Sequence, residues 1–529
     1  MSSHFDVVLV GYGPTAQLLA VALGRQGRSV AVVERWEERY PLPRAVHIDH
    51  EIFRIIAAQG LDAPLSAICH GAAKYQWFNA DWEELLVIDL SAPPVSGGLS
   101  ANYINQPLLE EVLDTGVRAQ PGVRLFLGRE AISVGQNEQG AWVEAKHVAT
   151  GETERFTGRY VIGCDGANSL VRNYISGGVE DLGFQEHWLV VDVLLKDGVT
   201  VEGLGLPESG QYCNPERPTT IVPAGIDKDG RLFRRWEFMK LPGEAIEDLE
   251  SEAKVWELLD RWARPDQVEL VRHRTYNFRS LISNQWRDRR VMIAGDAAHL
   301  TPPFLGQGLC SGIRDSWNLA WRLALALDDN ATDAIFEDYT RERYPHVRQM
   351  IEMAVYLGEV ICLADPAEAA KRDAAFASGA YPPFPDYPCL TTGLLHRLDD
   401  GRLQPGAGLL GPHAIIERDG KAARMDSVFG PGFLLVLRGL DPAAIPARAQ
   451  DILNRIGGQI LLLGEEAGAW RDCEGRITGF LDRRDWSAMV VRPDFYVYGG
   501  AASGEELGAL LEDFANDLAD AGLAVPDMA

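Results

Sequence analysis

The sequence predicts an α/β fold in three parts: a parallel-sheet domain, an antiparallel β-sheet inserted into it, and a smaller C-terminal α/β unit. Three observations predict it. The first forty residues run strand, helix, strand. From about 180 to 285 the chain breaks into short alternating segments between Gly, Pro and Asp turns. From about 395 a βα texture returns. At 529 residues the chain exceeds one ordinary core, so two or three domains are expected.

Composition narrows the class. Hydrophobic content of 46% and charged content of 24% are globular values. With 50 Lys+Arg against 76 Asp+Glu, the net charge of −26 argues against nucleic acid or an anionic membrane as a partner. No apolar run approaches the length of a membrane-spanning helix, and "MSSHFDVVLVG" enters a strand without a basic leader, so neither a span nor a secretory signal is expected. The seven cysteines are scattered, with no CxxC pair. They read as free thiols of a cytoplasmic protein, with no metal site.

"FDVVLVGYGPTAQLLAVALGRQGRSVAVVERW" is a βαβ unit whose turn spells G-x-G-x-x-A at Gly11, Gly13 and Ala16. Gly11 permits the turn, Gly13 lets backbone approach a pyrophosphate, and Ala16 is small enough for close helix–strand packing. Pro14 and Thr15 open the helix, whose N-terminus offers free N–H groups to phosphates. Glu34, ending the second strand, is placed for ribose hydroxyls and opposes a 2′-phosphate, so a Rossmann-like site for FAD or NAD is expected, with Arg35 beside it.

Further along, "PLPRAVHIDHEIFRIIAAQGL" is a Pro-rich loop leading into a helix, with Arg44 on the loop. Gln106 and Pro107 open another helix; surface solvation is the alternative for Gln106. "GRYVIGCDGANSLVRNYI" is a strand, turn and helix, with Asp165 at the strand's carboxyl end, where open α/β sheets bind ligands. "RRVMIAGDAAHLTPPFLGQGLCSG" is a strand feeding a loop of prolines and glycines, then the helix "IRDSWNLAWRLALAL". "YPPFPDYPCL" reads as a linker. The unit after it resembles a thioredoxin-like module that holds only Cys473, so redox chemistry is not expected there. These readings assign the parallel-sheet domain to 1–70, 100–180 and 286–330, and the inserted sheet to 71–99 and 181–285. A helical segment and linker take 331–390, and the C-terminal unit 391–529.

Three motifs in order, GxGxxA with Glu34, "GCDGANSLVR" and "GDAAHLTPPFLGQG", resemble the single-component FAD-dependent aromatic hydroxylases. "PRAVHIDHE" and "VRPD" point to the 3-(3-hydroxyphenyl)propionate hydroxylase and phenol hydroxylase branch, across essentially the whole chain. The resemblance implies hydroxylation of a phenolic ring through a flavin C4a-hydroperoxide, with O₂ and transient NADH or NADPH. It puts the pyrophosphate at Gly11, Gly13, Pro14, Thr15 and Ala16, and the ribose at Glu34. Flavin or pyrophosphate contacts fall to Arg44 and Gln106, and Asp165 serves both FAD and the nicotinamide donor. Gly295 and Asp296 would meet the ribityl chain, and Pro303, Gly306, Gln307, Gly308, Leu309 and Cys310 the isoalloxazine. Only one dinucleotide turn is present, so no separate nicotinamide domain is expected; a homodimer is. A tailoring enzyme for a larger polycyclic or heteroaromatic substrate, or a non-catalytic FAD binder, are the alternatives.

A phenol has a pKa near 10, so the site must favour phenolate. His47 is the first candidate base, with backbone hydrogen bonding as its alternative role; Asp49 is the second, and the carbonyl of Pro303 can face the substrate. Trp236 and Tyr276 are candidates for the ring pocket, with sheet packing as the alternative, and "RHRTYNFR" for a substrate carboxylate. Where that family reads GQG, Leu or Met, then Asn, this chain has Leu309-Cys310. A side-chain amide is therefore lost and a small filler takes its place.

Overall fold

The computed structural model describes residues 4–42, 44–381 and 387–523. The first sheet has eight strands. Its spine runs in the order Arg287–Asp288, Val291–Ile293, Thr153–Gly163, His4–Val10, Val30–Glu34, Val123–Leu127, and the strands Arg129–Gln136 and Ala141–His147 fold onto Thr153–Gly163. The four pairings from Val291–Ile293 across to Val123–Leu127 are parallel. Covered on both faces, these strands are near-continuous hydrophobic runs: Val7, Val8, Leu9, Val30, Ala31 and Val32 are wholly buried. The N-terminal strand lies centrally, with its chain neighbour on one side and Thr153–Gly163 on the other. That reversal of strand order creates a crevice at the carboxyl ends. Val10, Gly163 and Ile293 lie in register there, so the three motifs that follow them emerge side by side.

The second sheet also has eight strands: His299–Leu300, Val268–Ser283, Val179–Leu195, Leu232–Met239, Thr219–Ile226, Gly210–Tyr212, Lys74–Phe78 and Glu84–Asp89. It is antiparallel, as expected, except where Gly210–Tyr212 runs parallel to Lys74–Phe78. One face carries a core of Leu189, Val191, Trp236 and Phe238 under the helix Glu252–Leu259. The opposite face, reached by the residues between, turns toward the first domain.

The C-terminal unit has a four-stranded sheet in the order Gln459–Leu463, Leu434–Arg438, Ala488–Val491, Val497–Ala501. The first pair is parallel and the others antiparallel. Helices Ala447–Arg455 and Gly504–Asp520 contribute to one core, and Arg476–Asp482 to another. This unit is clamped to the rest by buried charge. Arg54 grips Asp426 through Nε and Nη2 at 2.7 and 3.0 Å and donates to the Gly411 carbonyl. Glu342 receives Arg322 at 2.8 Å and Arg492 at 2.6 Å, and Arg492 also holds Asp494. Of the linker expected at 381–390, residues 382–386 lie outside the described residues.

Candidate active site

At the sheet's carboxyl edge the backbone is close-packed. Gly11 has φ +96°, and a Cβ there would sit 2.4 Å from the Cys164 carbonyl oxygen, so only glycine lets the two turns touch. Gly13 caps the helix Pro14–Arg25 in an extended conformation, and a Cβ on it would meet nothing within 4 Å. Space is therefore open above the helix N-terminus, where the dipole favours phosphate. Ala16 is wholly buried. The Glu34 carboxylate accepts from the N–H groups of Tyr12 and Trp36, both at 2.9 Å, which fixes it at the end of its strand. Arg35 is exposed, its guanidinium over Trp36.

The Gly295 turn docks on the same helix. Gly295 (φ +64°) and Gly312 would place a Cβ 2.7 and 2.5 Å from Thr15 Oγ1. Ser316 Oγ donates to the Thr15 carbonyl. Asp315 accepts from Gly295 N–H at 3.0 Å, from His299 and from Arg343, so His299 is part of the loop's scaffold. Asp296 is turned outward and exposed, yet it lies in a groove deep enough that burial raises its pKa. Asp165 accepts from Ser169 Oγ and from the N–H groups of Leu170 and Val171; it shapes its own turn, and burial pushes its pKa up.

The loop after Leu300 closes on itself. Gly306 N–H donates to the Pro303 carbonyl at 2.8 Å, which occupies one lone pair of the group expected to face substrate. Gly306 (φ +63°) would place a Cβ 2.9 Å from His47 Nδ1. Gln307 precedes the helix Gly308–Leu327, and its Oε1 accepts from Arg314 at 2.8 Å. A Cβ on Gly308 would meet nothing within 4 Å. Leu309 is half-buried and Cys310 wholly buried, its thiol 3.5 Å from the Gly306 carbonyl; burial keeps that thiol protonated. The side chain at 310 is thus a filler, and only its backbone can serve a ligand.

Arg44 is exposed, lies against the Tyr40 ring and fixes its loop by accepting from Arg235 at its carbonyl. Gln106 is committed locally: Oε1 accepts from Ala45 N–H at 2.6 Å and Nε2 donates to Glu110 at 2.7 Å. Its side chain holds the Arg44 loop and is not solvated.

These pieces border a cavity of about 730 Å³ that reaches His47, Asp49, Pro303, Gly306 and Gln307. His47 sits 5.6 Å from the Tyr103 ring, its Nδ1 buried without a partner, and burial lowers its pKa. The imidazole is therefore neutral near pH 7 and able to accept a proton. Asp49 corrects expectation. It caps the helix His50–Ile56 through the N–H groups of Glu51 and Ile52 and pairs with Arg314, which also holds Glu51 at 2.6 Å. Despite burial, Arg314 holds Asp49 far below the ordinary carboxylate range, and so acidic a group is a poor base. Trp236 is a second correction: it is wholly buried in the sheet's far core, because alternation sends Trp236 and Glu237 to opposite faces. Tyr276 does not line the cavity either; it stacks on Phe278 beneath Arg272.

Sequence reading missed Glu237, Thr220 and Gln211 on the sheet wall, and Phe480 and Tyr496 from the C-terminal unit. Period-two alternation in "RLFRRWEFM" was the available signal for Glu237. It also missed Arg314, the cation between Asp49, Glu51 and Gln307, and Arg39, whose Nη1 is buried without a partner.

Gly11 and Gly13 below an open helix N-terminus, the fixed Glu34 carboxylate, and Asp296 in its groove make a cradle suited to a flavin dinucleotide. Among the described residues no group of three or more His, Cys, Asp or Glu is placed for a metal ion, and no helix is long and apolar enough to cross a membrane. Residues 4–354 match the family described as FAD binding domain, and 408–517 match the HcaD C-terminal domain. The chain is 36% identical over 519 residues to a probable NADH-specific resorcinol 4-hydroxylase of Rhodococcus jostii (strain RHA1), covering 96% of this chain and 94% of that one. It is 29% identical to the 3-(3-hydroxy-phenyl)propionate/3-hydroxycinnamic acid hydroxylase of Escherichia coli (strain K12), covering 97% and 94%. Among solved structures, the flavin-dependent monooxygenase PieE, in complex with FAD and substrate, superposes with TM-score 0.80 at 21% identity, covering 98% and 99%. Aklavinone-11 hydroxylase with FAD and aklavinone superposes with TM-score 0.77 at 22% identity, covering 98% and 100%. With cradle, cavity and relatives in agreement, the chain belongs to the single-component FAD-dependent aromatic hydroxylases.

Proposed function

We propose that the protein hydroxylates a small phenolic compound, consuming O₂ and NADH. The observation that carries this reading is the cavity into which the Pro303–Gln307 loop, a neutral His47 and a polar sheet wall all face. The resorcinol hydroxylase relative supports NADH over NADPH. Bound FAD supplies electron transfer and oxygen activation; the protein binds, orients and dehydrates.

In this reading Gly11, Gly13, Pro14, Thr15 and Ala16 hold the pyrophosphate, Glu34 the adenosine ribose and Asp296 the ribityl chain. Pro303 and Gly306 to Cys310 present backbone to the flavin ring, and Arg314 orients the Gln307 amide beside it. Gly295, Asp165, Arg44 and Gln106 shape the turns that carry these groups. The His47 imidazole, through the nitrogen not packed against Gly306, takes the phenolic proton. A phenol at pKa near 10 donates poorly to water at neutral pH, and an imidazole kept neutral by burial on the cavity wall offers it an acceptor.

The tail's mixed four-stranded sheet with helices on both faces supports a thioredoxin-like domain from about 391, without a redox pair. The two cores and the interrupted chain order support a discontinuous FAD domain (1–70, 100–180, 286–330) around a substrate sheet (71–99, 181–285). Scattered free cysteines support a cytoplasmic setting, and a homodimer is part of the proposal. Purified protein should be yellow, and a phenol should stimulate NADH oxidation and gain one oxygen by mass. Failure of every phenol tested to stimulate oxidation would overturn the reading.

A further inference from the structure

Glu237 faces the cavity from the middle of the sheet wall. Thr220 is its cross-strand partner, and Gln211 is the partner of Thr220 on the next strand, so the three side chains form one row on one face. Two of the row are committed to each other. The Thr220 hydroxyl donates to Gln211 Oε1 at 2.7 Å, and Gln211 Nε2 donates to the Tyr75 hydroxyl at 2.6 Å. Glu237 is different. Among the described residues no donor hydrogen-bonds its carboxyl; its nearest cation, Arg235, stands 3.7 Å away and is bound to Asp192 through Nε and Nη2 at 2.7 and 3.0 Å. A buried acid left with open acceptor capacity toward a ligand-sized space is costly unless the ligand satisfies it.

Charge around the cavity decides what that ligand carries. Arg314 is taken by Asp49 and Glu51. Arg272, whose charge also reaches Glu237, stands 3.6 Å from Asp192 and does not line the cavity, while Arg483 and Arg484 belong to the C-terminal unit and not to the sheet wall. A carboxylate brought to the sheet wall would therefore meet Glu237 with its two neighbouring cations, Arg235 and Arg272, already turned to Asp192, whereas a hydroxyl would donate to it.

We propose that Glu237, held in the row with Thr220 and Gln211, accepts a hydrogen bond from a second hydroxyl on the substrate, and so selects an uncharged dihydroxylated ring over a carboxylate-bearing phenol. This rests on the phenol-hydroxylating reading above. It adds the residue that would separate the two substrate types named for its relatives.

The test uses FAD-loaded protein and binding titrations read from flavin absorbance, with resorcinol, phenol and 3-(3-hydroxyphenyl)propionate as probes. In Glu237→Ala the Kd for resorcinol should rise about tenfold, the size of one buried hydrogen bond, while that for phenol stays within about twofold. The near-isosteric Glu237→Gln should give a smaller loss for resorcinol and tighter binding of the propionate, with unchanged FAD content. Equal loss for resorcinol and phenol in both variants, or no loss in either, would overturn the assignment. So would wild-type protein that binds the propionate more tightly than resorcinol. Because binding is read without turnover, this failure is distinguishable from failure of the activity, which would appear as unstimulated NADH oxidation with every phenol.

Discussion

Glu342 is the clearest place to test how the C-terminal unit is held. Its carboxylate is wholly buried and receives Arg322 at 2.8 Å, Arg492 at 2.6 and 2.8 Å, Asn318 at 2.8 Å and the Leu394 N–H at 2.9 Å. Glu342→Gln preserves the shape but removes the charge facing two buried guanidinium groups. It also turns an NH₂ toward groups that are themselves donors. Asp494 alone then remains to balance Arg492, and Arg322 is left with the Ile335 carbonyl and Asn318. Removing one partner of a buried pair costs about 3–5 kcal/mol. At about 2 °C per kcal/mol for a large domain, the Tm should fall by about 6–10 °C. Thermal and urea unfolding measure this. Glu368→Gln, which breaks an exposed pair with Lys371, is the control and should change stability by less than about 0.5 kcal/mol. If Glu342→Gln matched that control, the buried network would not be what clamps the unit.

Gly11→Ala should cost about 1–2 kcal/mol from its positive φ alone, and more from the contact with the Cys164 carbonyl, so FAD affinity measured by fluorescence should fall more than tenfold. His47→Ala should lower product formed per NADH consumed and release peroxide; unchanged coupling would remove His47 from the chemistry. Acid should destabilise the protein in a defined window. His299 and Arg343 outweigh burial and hold Asp315 down to about 2 from its ordinary 3.8. A depressed acid contributes stability that is complete above its unfolded pKa, so this part should be present above about pH 4 and lost as pH falls toward 2. Urea midpoints across that range should drop, and Asp315→Asn should flatten the drop.

Motifs whose meaning is local were legible in the sequence. Gly11, Gly13 and Ala16 announce their turn because a tight strand-to-helix connection demands small residues at those spacings. What stayed hidden depends on distant partners. "VRPD" marked a relationship without saying that Arg492 binds Glu342, some 150 residues earlier in the chain, with Asp494 on the same guanidinium. "HIDHE" offered Asp49 as a base, and only its pairing with Arg314 shows it spent. Trp236 was a candidate for the ring pocket, with sheet packing as its alternative, while the adjacent Glu237 occupies the face that lines the cavity. Surface solvation stood as an alternative for Gln106 because nothing nearby in sequence reveals that it bonds the Ala45 N–H.

Phe480 and Tyr496 bring the chain's last third to the cavity wall, while the turn at Gly11–Ala16 lies at its beginning. The C-terminal part of the cavity wall is thereby lodged in a different body from the Gly11 turn. Mutations that reshape that part of the wall leave the strand ends around Gly11 untouched. Descendants of such a chain can drift toward new aromatic compounds while still loading the same flavin.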